Sequence, residues 1–300
     1  MKTGESLRNP ASRRWTATRP TALTVRGIFP CLRMPNSAVV FCIRLCLWMC
    51  IILPVRSIAA ENFRADGVEF VCRVPAKVDE NSRIMVLFGG RNWPGEQTLK
   101  TYRFDALADK YKLFLISPSF VTGDYWEPES GTGKALKSAV SRIGKKYNLK
   151  PQKLLFYGYS AGGQCANLFY AWMPDEVESW GAHACGVYFT GVMRNPVPAL
   201  LTCGVEDKER LEISRLFLYR YRESGGALLW KSFPKGGHDL NPEALELARL
   251  WFDAILSGKA VREYGEDDTR KVVPESRKER IEIEFRNPLF EAGIRELWRK

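Results

Sequence analysis

Beyond residue 60 the chain alternates short apolar runs with amphipathic stretches. Residues 83–90 (RIMVLFGG) carry no polar side chain after Arg83 and end in two glycines, as a strand buried on both faces would. Residues 97–110 put Leu99, Tyr102, Phe104, Leu107 and Ala108 near helical spacing. Strands are predicted again at 113–117, 154–158, 186–189, 199–203 and Leu228–Phe233, and helices at 134–146, 164–173, 210–223 and Pro242–Leu256. Strand and helix in turn predict an α/β fold, a mostly parallel central sheet flanked by helices on both faces. Such a sheet binds ligands just past the carboxyl ends of its strands.

The two ends of the chain depart from this pattern. Residues 45–55 (LCLWMCIILPV) form an apolar run between Arg44 and Arg56, too short for a bilayer crossing of about 20 residues. With Arg44 before it and Ser57-Ile58-Ala59-Ala60 after it, the run reads as the core of a secretory signal, cleaved after Ala59 or Ala60. Met34 as the true start would give that signal ordinary length; a transit peptide and an uncleaved anchor are the competing readings. Residues 1–60 are therefore set apart as a leader, and the protein is expected to be secreted or periplasmic. At the other end, 258–300 is dense in charge and reads as a partly ordered appendage. Within it, 281–285 (IEIEF) alternates like an edge strand and 288–298 has the makings of a short helix.

Charge and cysteines narrow the partners. Of the formal net charge of +11, most lies in the leader, which holds nine Lys and Arg against Glu5. The body is nearly balanced, with no basic stripe and no groove-reading motif, so no nucleic-acid partner is expected. An apolar content of 45% is enough for a core. Cys72, Cys165, Cys185 and Cys203 lie beyond the leader in apolar runs, with no close pair of the kind that holds a metal or runs redox chemistry. They read as buried thiols, although an oxidising compartment leaves a disulfide open.

The chemistry concentrates at 153–163 (KLLFYGYSAGG). An apolar strand runs into Gly158-Tyr159-Ser160-Ala161-Gly162, and a helix-compatible stretch follows. A serine displayed on a sharp strand-to-helix turn needs neighbours without Cβ atoms, because the two backbones nearly touch there. The helix that starts at the turn would aim N–H groups at a reacting oxygen. The bland alternative is a Gly-rich helix entry with no chemistry. A hydroxyl becomes a nucleophile only when a base takes its proton, and the chain offers just His183 and His238. Neither a metal nor an organic cofactor is implied.

GYSAGG preceded by LLFY, with GVEDKER and KGGHDL further on, resembles the α/β-hydrolase superfamily. Residues 84–256 are similar within it to secreted polyhydroxybutyrate-depolymerase-like and feruloyl-esterase-like esterases. The resemblance implies an α/β-hydrolase domain over 61–257 and the chain order Ser, acid, His. Ser160 would be the nucleophile and His238, in the loop after the last strand, the base, with His183 a packed structural residue. Asp207 matches the position of the acid, with Glu206 its near rival and Glu209 a distant one. Oxyanion donors would be the N–H of Ala161 and that of Gly90 or Arg91, although Phe88 stands where the family usually carries His. Trp93, Trp126 and Tyr159 are candidate linings of a substrate pocket.

The implied activity is hydrolysis of small or polymer-linked carboxylic esters through a Ser-Asp-His triad and an acyl-enzyme. A compact serine peptidase of the oligopeptidase type shares fold and triad, but such enzymes usually carry a large N-terminal propeller, and only about 25 residues separate the signal from the sheet here. A catalytically dead binding relative is the third possibility.

Overall fold

The structure, a computed structural model, describes residues 60–300. The signal segment and Met34 thus lie outside the described residues, while Ala60, read as the leader's last residue, opens the first strand. That strand, β1 (Ala60–Ala65), pairs antiparallel with β2 (Val68–Arg73). The sequence pattern did not anticipate this hairpin. Asp66 and Gly67 make its tight turn, both with positive φ, the conformation a two-residue hairpin loop demands.

Six strands follow: β3 (Arg83–Phe88), β4 (Leu113–Pro118), β5 (Leu154–Tyr159), β6 (Val177–His183), β7 (Ala199–Gly204) and β8 (Leu228–Phe233). The eight form one sheet in the order β1-β2-β4-β3-β5-β6-β7-β8. β2 pairs antiparallel with β4, and all neighbours from β4 to β8 run parallel. Almost every residue of the central strands is buried, because helices cover both faces. Adjacent residues of β6 show the two layers. Trp180 packs on Tyr170 of α4 (Ala161–Trp172) and on Phe217 and Tyr221 of α5 (Lys208–Glu223). Ser179, pointing the other way, accepts a hydrogen bond at 3.1 Å from the indole of Trp251 on α6 (Pro242–Leu256).

Three sequence expectations are corrected. The strand after α4 is β6, not 186–189, which is loop; burial of β6 at the sheet centre overrides its polar Glu178 and Ser179. The helix expected over 97–110 is two, α1 (Gly95–Tyr102) and α2 (Asp105–Tyr111), separated at Arg103 with φ 54°. An unbroken helix would set Tyr102 and Phe104 about 200° apart, whereas the break buries both completely. The remaining helix of the main domain, α3 (Thr132–Tyr147), lies where expected.

The third correction concerns the tail. Residues 283–285 form a single helical turn rather than an edge strand. The strand is β11 (Arg286–Leu289), in a small antiparallel sheet ordered β10 (Val272–Pro274), β9 (Glu263–Glu266), β11, and α7 (Ala292–Arg299) ends the chain. This unit is packed, not loosely appended. Arg222 of α5, 1% exposed, donates to Asp267 at 2.6 Å, to Asn287 at 2.7 Å and to the Glu284 and Leu228 carbonyls. Asn287 accepts from Trp230 N–H at 2.7 Å and the Trp298 indole donates to the Trp230 carbonyl at 3.1 Å. Both backbone groups of Trp230 on the outer strand β8 are thereby occupied, which blunts a sheet edge open to pairing.

Candidate active site

Ser160 stands between β5 and α4 at φ 54° and ψ −120°, a backbone conformation that side chains other than Gly rarely adopt. Two glycines make the turn possible. A Cβ on Gly158 would lie 2.0 Å from the Gly162 carbonyl oxygen, and one on Gly162 would lie 2.1 Å from the Phe88 carbonyl oxygen. Both distances are far inside van der Waals contact, so the elbow and the end of β3 pack backbone on backbone. Ser160 N–H donates to the His183 carbonyl at 2.9 Å, which pins the turn to β6. Ala161 begins α4, so its N–H has no acceptor within the helix and is free to meet an anion.

His238 and Asp207 come from loops after β8 and β7. Gly204 ends β7, and a Cβ there would lie 2.2 Å from the Gly236 carbonyl oxygen. Glu206 N–H also donates to that oxygen at 3.0 Å. This close approach brings the two loops together. The Asp207 carboxylate meets His238 Nδ1 at 2.7 Å, and His238 Nε2 lies 2.8 Å from Ser160 Oγ. A carboxylate only accepts, so the imidazole carries its proton on Nδ1 and Nε2 accepts from the serine hydroxyl. Glu206 and Glu209 are exposed, whereas Asp207 is 7% exposed. The carboxylate against His238 is therefore that of Asp207. Its other oxygen accepts from Arg210 at 3.1 Å, a contact the sequence reading did not foresee.

The second histidine lies close by in a different role. His183, fully buried at the end of β6, has Nδ1 2.8 Å from the Thr202 hydroxyl and donates from Nε2 to the Asp239 carbonyl at 3.0 Å. Burial holds its pKa down at about 4, so it stays neutral and keeps a single donor. The Tyr159 hydroxyl donates to the preceding carbonyl, that of His238, at 2.8 Å. Two consecutive carbonyls of the loop that carries His238 are thus fixed by neutral side chains rooted in the sheet.

Of the aromatic residues read as pocket linings, Tyr159 is 8% exposed and is occupied with the His238 loop. Trp93 is half-buried and packs on Tyr159 with ring centroids 5.7 Å apart, beside the turn in which Trp93 N–H donates to the Gly90 carbonyl. Trp126 packs edge-on against buried Tyr125 at 5.0 Å. Gly90 sits close to the elbow, since a Cβ there would lie 3.1 Å from the Tyr159 ring, and Arg91 beside it is exposed. His238, with 34% of its side chain exposed, opens the site to solvent. Cys72, Cys165, Cys185 and Cys203 are free and buried. Among the described residues no group of three His, Cys, Asp or Glu is placed to hold a metal, and no helix is long and apolar enough to cross a membrane.

A mostly parallel sheet in this strand order, with a serine on a strained turn between β5 and the helix after it, is the α/β-hydrolase fold. No family model and no curated protein matches the sequence. Solved structures do share the fold. An S-formylglutathione hydrolase from Agrobacterium tumefaciens aligns with a TM-score of 0.55 at 13% identity, over 66% of this chain and 94% of that one. A poly(3-hydroxybutyrate) depolymerase from Bordetella parapertussis aligns with a TM-score of 0.51 at 16% identity, over 65% and 90%. An acylaminoacyl peptidase from Pyrococcus horikoshii aligns with a TM-score of 0.54 at 11% identity, over 76% of this chain and 45% of that one.

Proposed function

We propose that the protein is a serine hydrolase that cleaves carboxylic esters through Ser160, His238 and Asp207. The observation that carries this reading is the unbroken line from carboxylate through imidazole to hydroxyl: 2.7 Å from Asp207 to His238 and 2.8 Å from His238 to Ser160. His238 Nε2 takes the serine proton as Oγ attacks the acyl carbon, and Asp207 holds the tautomer and stabilises the imidazolium. The oxyanion meets the N–H groups of Ala161 and of Gly90 or Arg91. His238 then protonates the leaving alcohol, and a water deprotonated by the same ring releases the acyl group from Ser160. Ester rather than peptide hydrolysis is supported by the esterase names among the structural neighbours, a thermostable esterase and a ferulic acid esterase among them. Export is proposed on the apolar run between Arg44 and Arg56 and the small residues after it. On that reading residues 1–60 are a leader, 61–257 the hydrolase domain and 258–300 an appendage docked on it.

Covalent labelling by a fluorophosphonate probe tests the proposal. The wild-type protein is expected to label and Ser160→Ala to stay unlabelled; a wild-type protein that resists the probe refutes it. A p-nitrophenyl ester series run beside a panel of peptide anilides then separates substrate classes. Turnover of the anilides alone would replace the esterase by a peptidase.

A further inference from the structure

Tyr102, the last residue of α1, is fully buried, with its ring packed edge-on against Tyr157 at 5.4 Å and tilted against Trp93 at 6.4 Å. Its hydroxyl donates to the Phe88 carbonyl at 2.6 Å and accepts from Tyr159 N–H at 3.0 Å. Those two groups belong to neighbouring parallel strands in which Phe88 pairs with Gly158. The phenol oxygen therefore occupies the place of the next rung of the ladder, where β3 ends and turns away toward Gly89 and Gly90. Burial holds its pKa well above that of an ordinary tyrosine, so the proton on which the bridge depends stays in place. The Tyr102 carbonyl is in turn held by Arg249 of α6 at 3.1 Å.

What lies on either side of the bridge gives it meaning. One residue past Tyr159 is Ser160, followed by the Ala161 N–H. Two residues past Phe88 is Gly90. The two proposed halves of the oxyanion hole thus ride on two different backbones, and the Tyr102 hydroxyl joins them where they part. The same carbonyl also meets the elbow, since Gly162 makes its close backbone approach to Phe88 and Gly89. An oxyanion donor acts only if it is in place before the charge develops, and a displacement of about 1 Å costs about 100-fold in rate. We infer that Tyr102 is a positioning residue that sets the separation of the two oxyanion-donating backbones through its hydroxyl. This inference rests on the serine-hydrolase reading above.

The test compares Tyr102→Phe with Tyr157→Phe, whose hydroxyl is as deeply buried, in the same aromatic cluster, and has no hydrogen-bond partner among the described residues. Rates are expressed per active site titrated by the fluorophosphonate, so that partial unfolding drops out. Tyr102→Phe is expected to lower kcat about 10- to 100-fold with KM nearly unchanged, and Tyr157→Phe to leave both as they are. The decisive readout is the preference for an oxo ester over its thiono analogue, whose larger sulfur fits an ordered hole poorly. That preference should shrink by the same factor as kcat in Tyr102→Phe, whereas a side chain of purely structural value would move Tm and leave it alone. If Tyr102→Phe does not fold, 4-aminophenylalanine at position 102 keeps a donor and a weaker acceptor, and an intermediate fall in the preference is expected. An unchanged preference in the folded variant overturns this inference alone. A wild-type protein that does not react with the probe overturns the hydrolase reading beneath it.

Discussion

Replacing His183 by Gln isolates the energy of one buried, uncharged imidazole. His183 is held neutral by burial, with its pKa lowered from 6.5 to about 4, against weaker opposing pulls from the Asp239 carbonyl and the Asp239 and Asp207 carboxylates. At about 1.4 kcal/mol per unit, that displacement corresponds to about 3 kcal/mol. The sign follows from which state takes up the proton. Between pH 6.5 and 4 the unfolded chain carries a proton at this position and the folded chain does not, so stability rises with pH across that window. The contribution is complete above pH 6.5 and is lost as the pH falls toward 4. Gln can still donate to the Asp239 carbonyl and accept from Thr202, but it has no proton to take up. The carboxylates that titrate in the same range are common to both proteins and cancel in the difference. Urea unfolding followed by tryptophan fluorescence, repeated from pH 7.5 to 4, should show the gap between wild type and His183→Gln closing by about 3 kcal/mol as the pH falls. A gap that stays constant over that range would refute the assignment of a neutral, proton-excluding imidazole to this position.

Three further outcomes are expected. Asp207→Asn should fold normally yet lose about 1,000- to 10,000-fold in kcat on a p-nitrophenyl ester, because an amide can present its NH2 to Nδ1 and stabilise the wrong tautomer; a loss under tenfold would point to a different acid. Gly162→Ala places a Cβ where the Phe88 oxygen is 2.1 Å away, so the backbones must part by about 1 Å, and fluorophosphonate labelling should slow at least about 100-fold; labelling near the wild-type rate would count against the close approach. Arg222→Met leaves the Asp267 carboxylate without its buried cation, which should cost about 3–5 kcal/mol in urea unfolding, and adding Asp267→Leu should recover part of it; an additive double variant would show that the two residues do not act as a pair.

The parts of the molecule legible in the sequence are those where backbone meets backbone. Gly158 and Gly162 stand beside a serine because nothing larger fits, so the elbow leaves a spacing that can be read directly. The inner strands β3, β4, β5 and β7 are equally plain, since burial on both faces leaves few polar residues along them, and the outer strand β8 is marked by its apolar run Leu228-Leu229-Trp230. β6 breaks that rule with Glu178 at its mouth and Ser179 bonded to Trp251, and its pattern dissolves. The tail departs from its sequence pattern for a related reason. Its alternating IEIEF looks like a strand, but the burial of Arg222 among Asp267, Asn287 and the Glu284 carbonyl decides where the chain turns, and no periodicity encodes a buried arginine.

The side chains that steady the candidate site were hidden for a third reason: their partners are carbonyls and amides. Tyr102 bridges the Phe88 carbonyl and Tyr159 N–H, Tyr159 holds the His238 carbonyl, and His183 holds that of Asp239. Any residue type supplies such a partner, so no complementary pattern exists to be found along the chain. Each of these three groups is neutral, and for His183 and Tyr102 burial is what keeps it so. The charged groups in line with His238 are Asp207 and, beyond it, Arg210, and the imidazole that the proposed mechanism would charge and discharge sits on a loop whose anchors stay neutral. A base that moves protons needs supports indifferent to protons, and neutral buried donors on consecutive carbonyls meet that requirement in a way that exposed ion pairs, screened and mobile, would not.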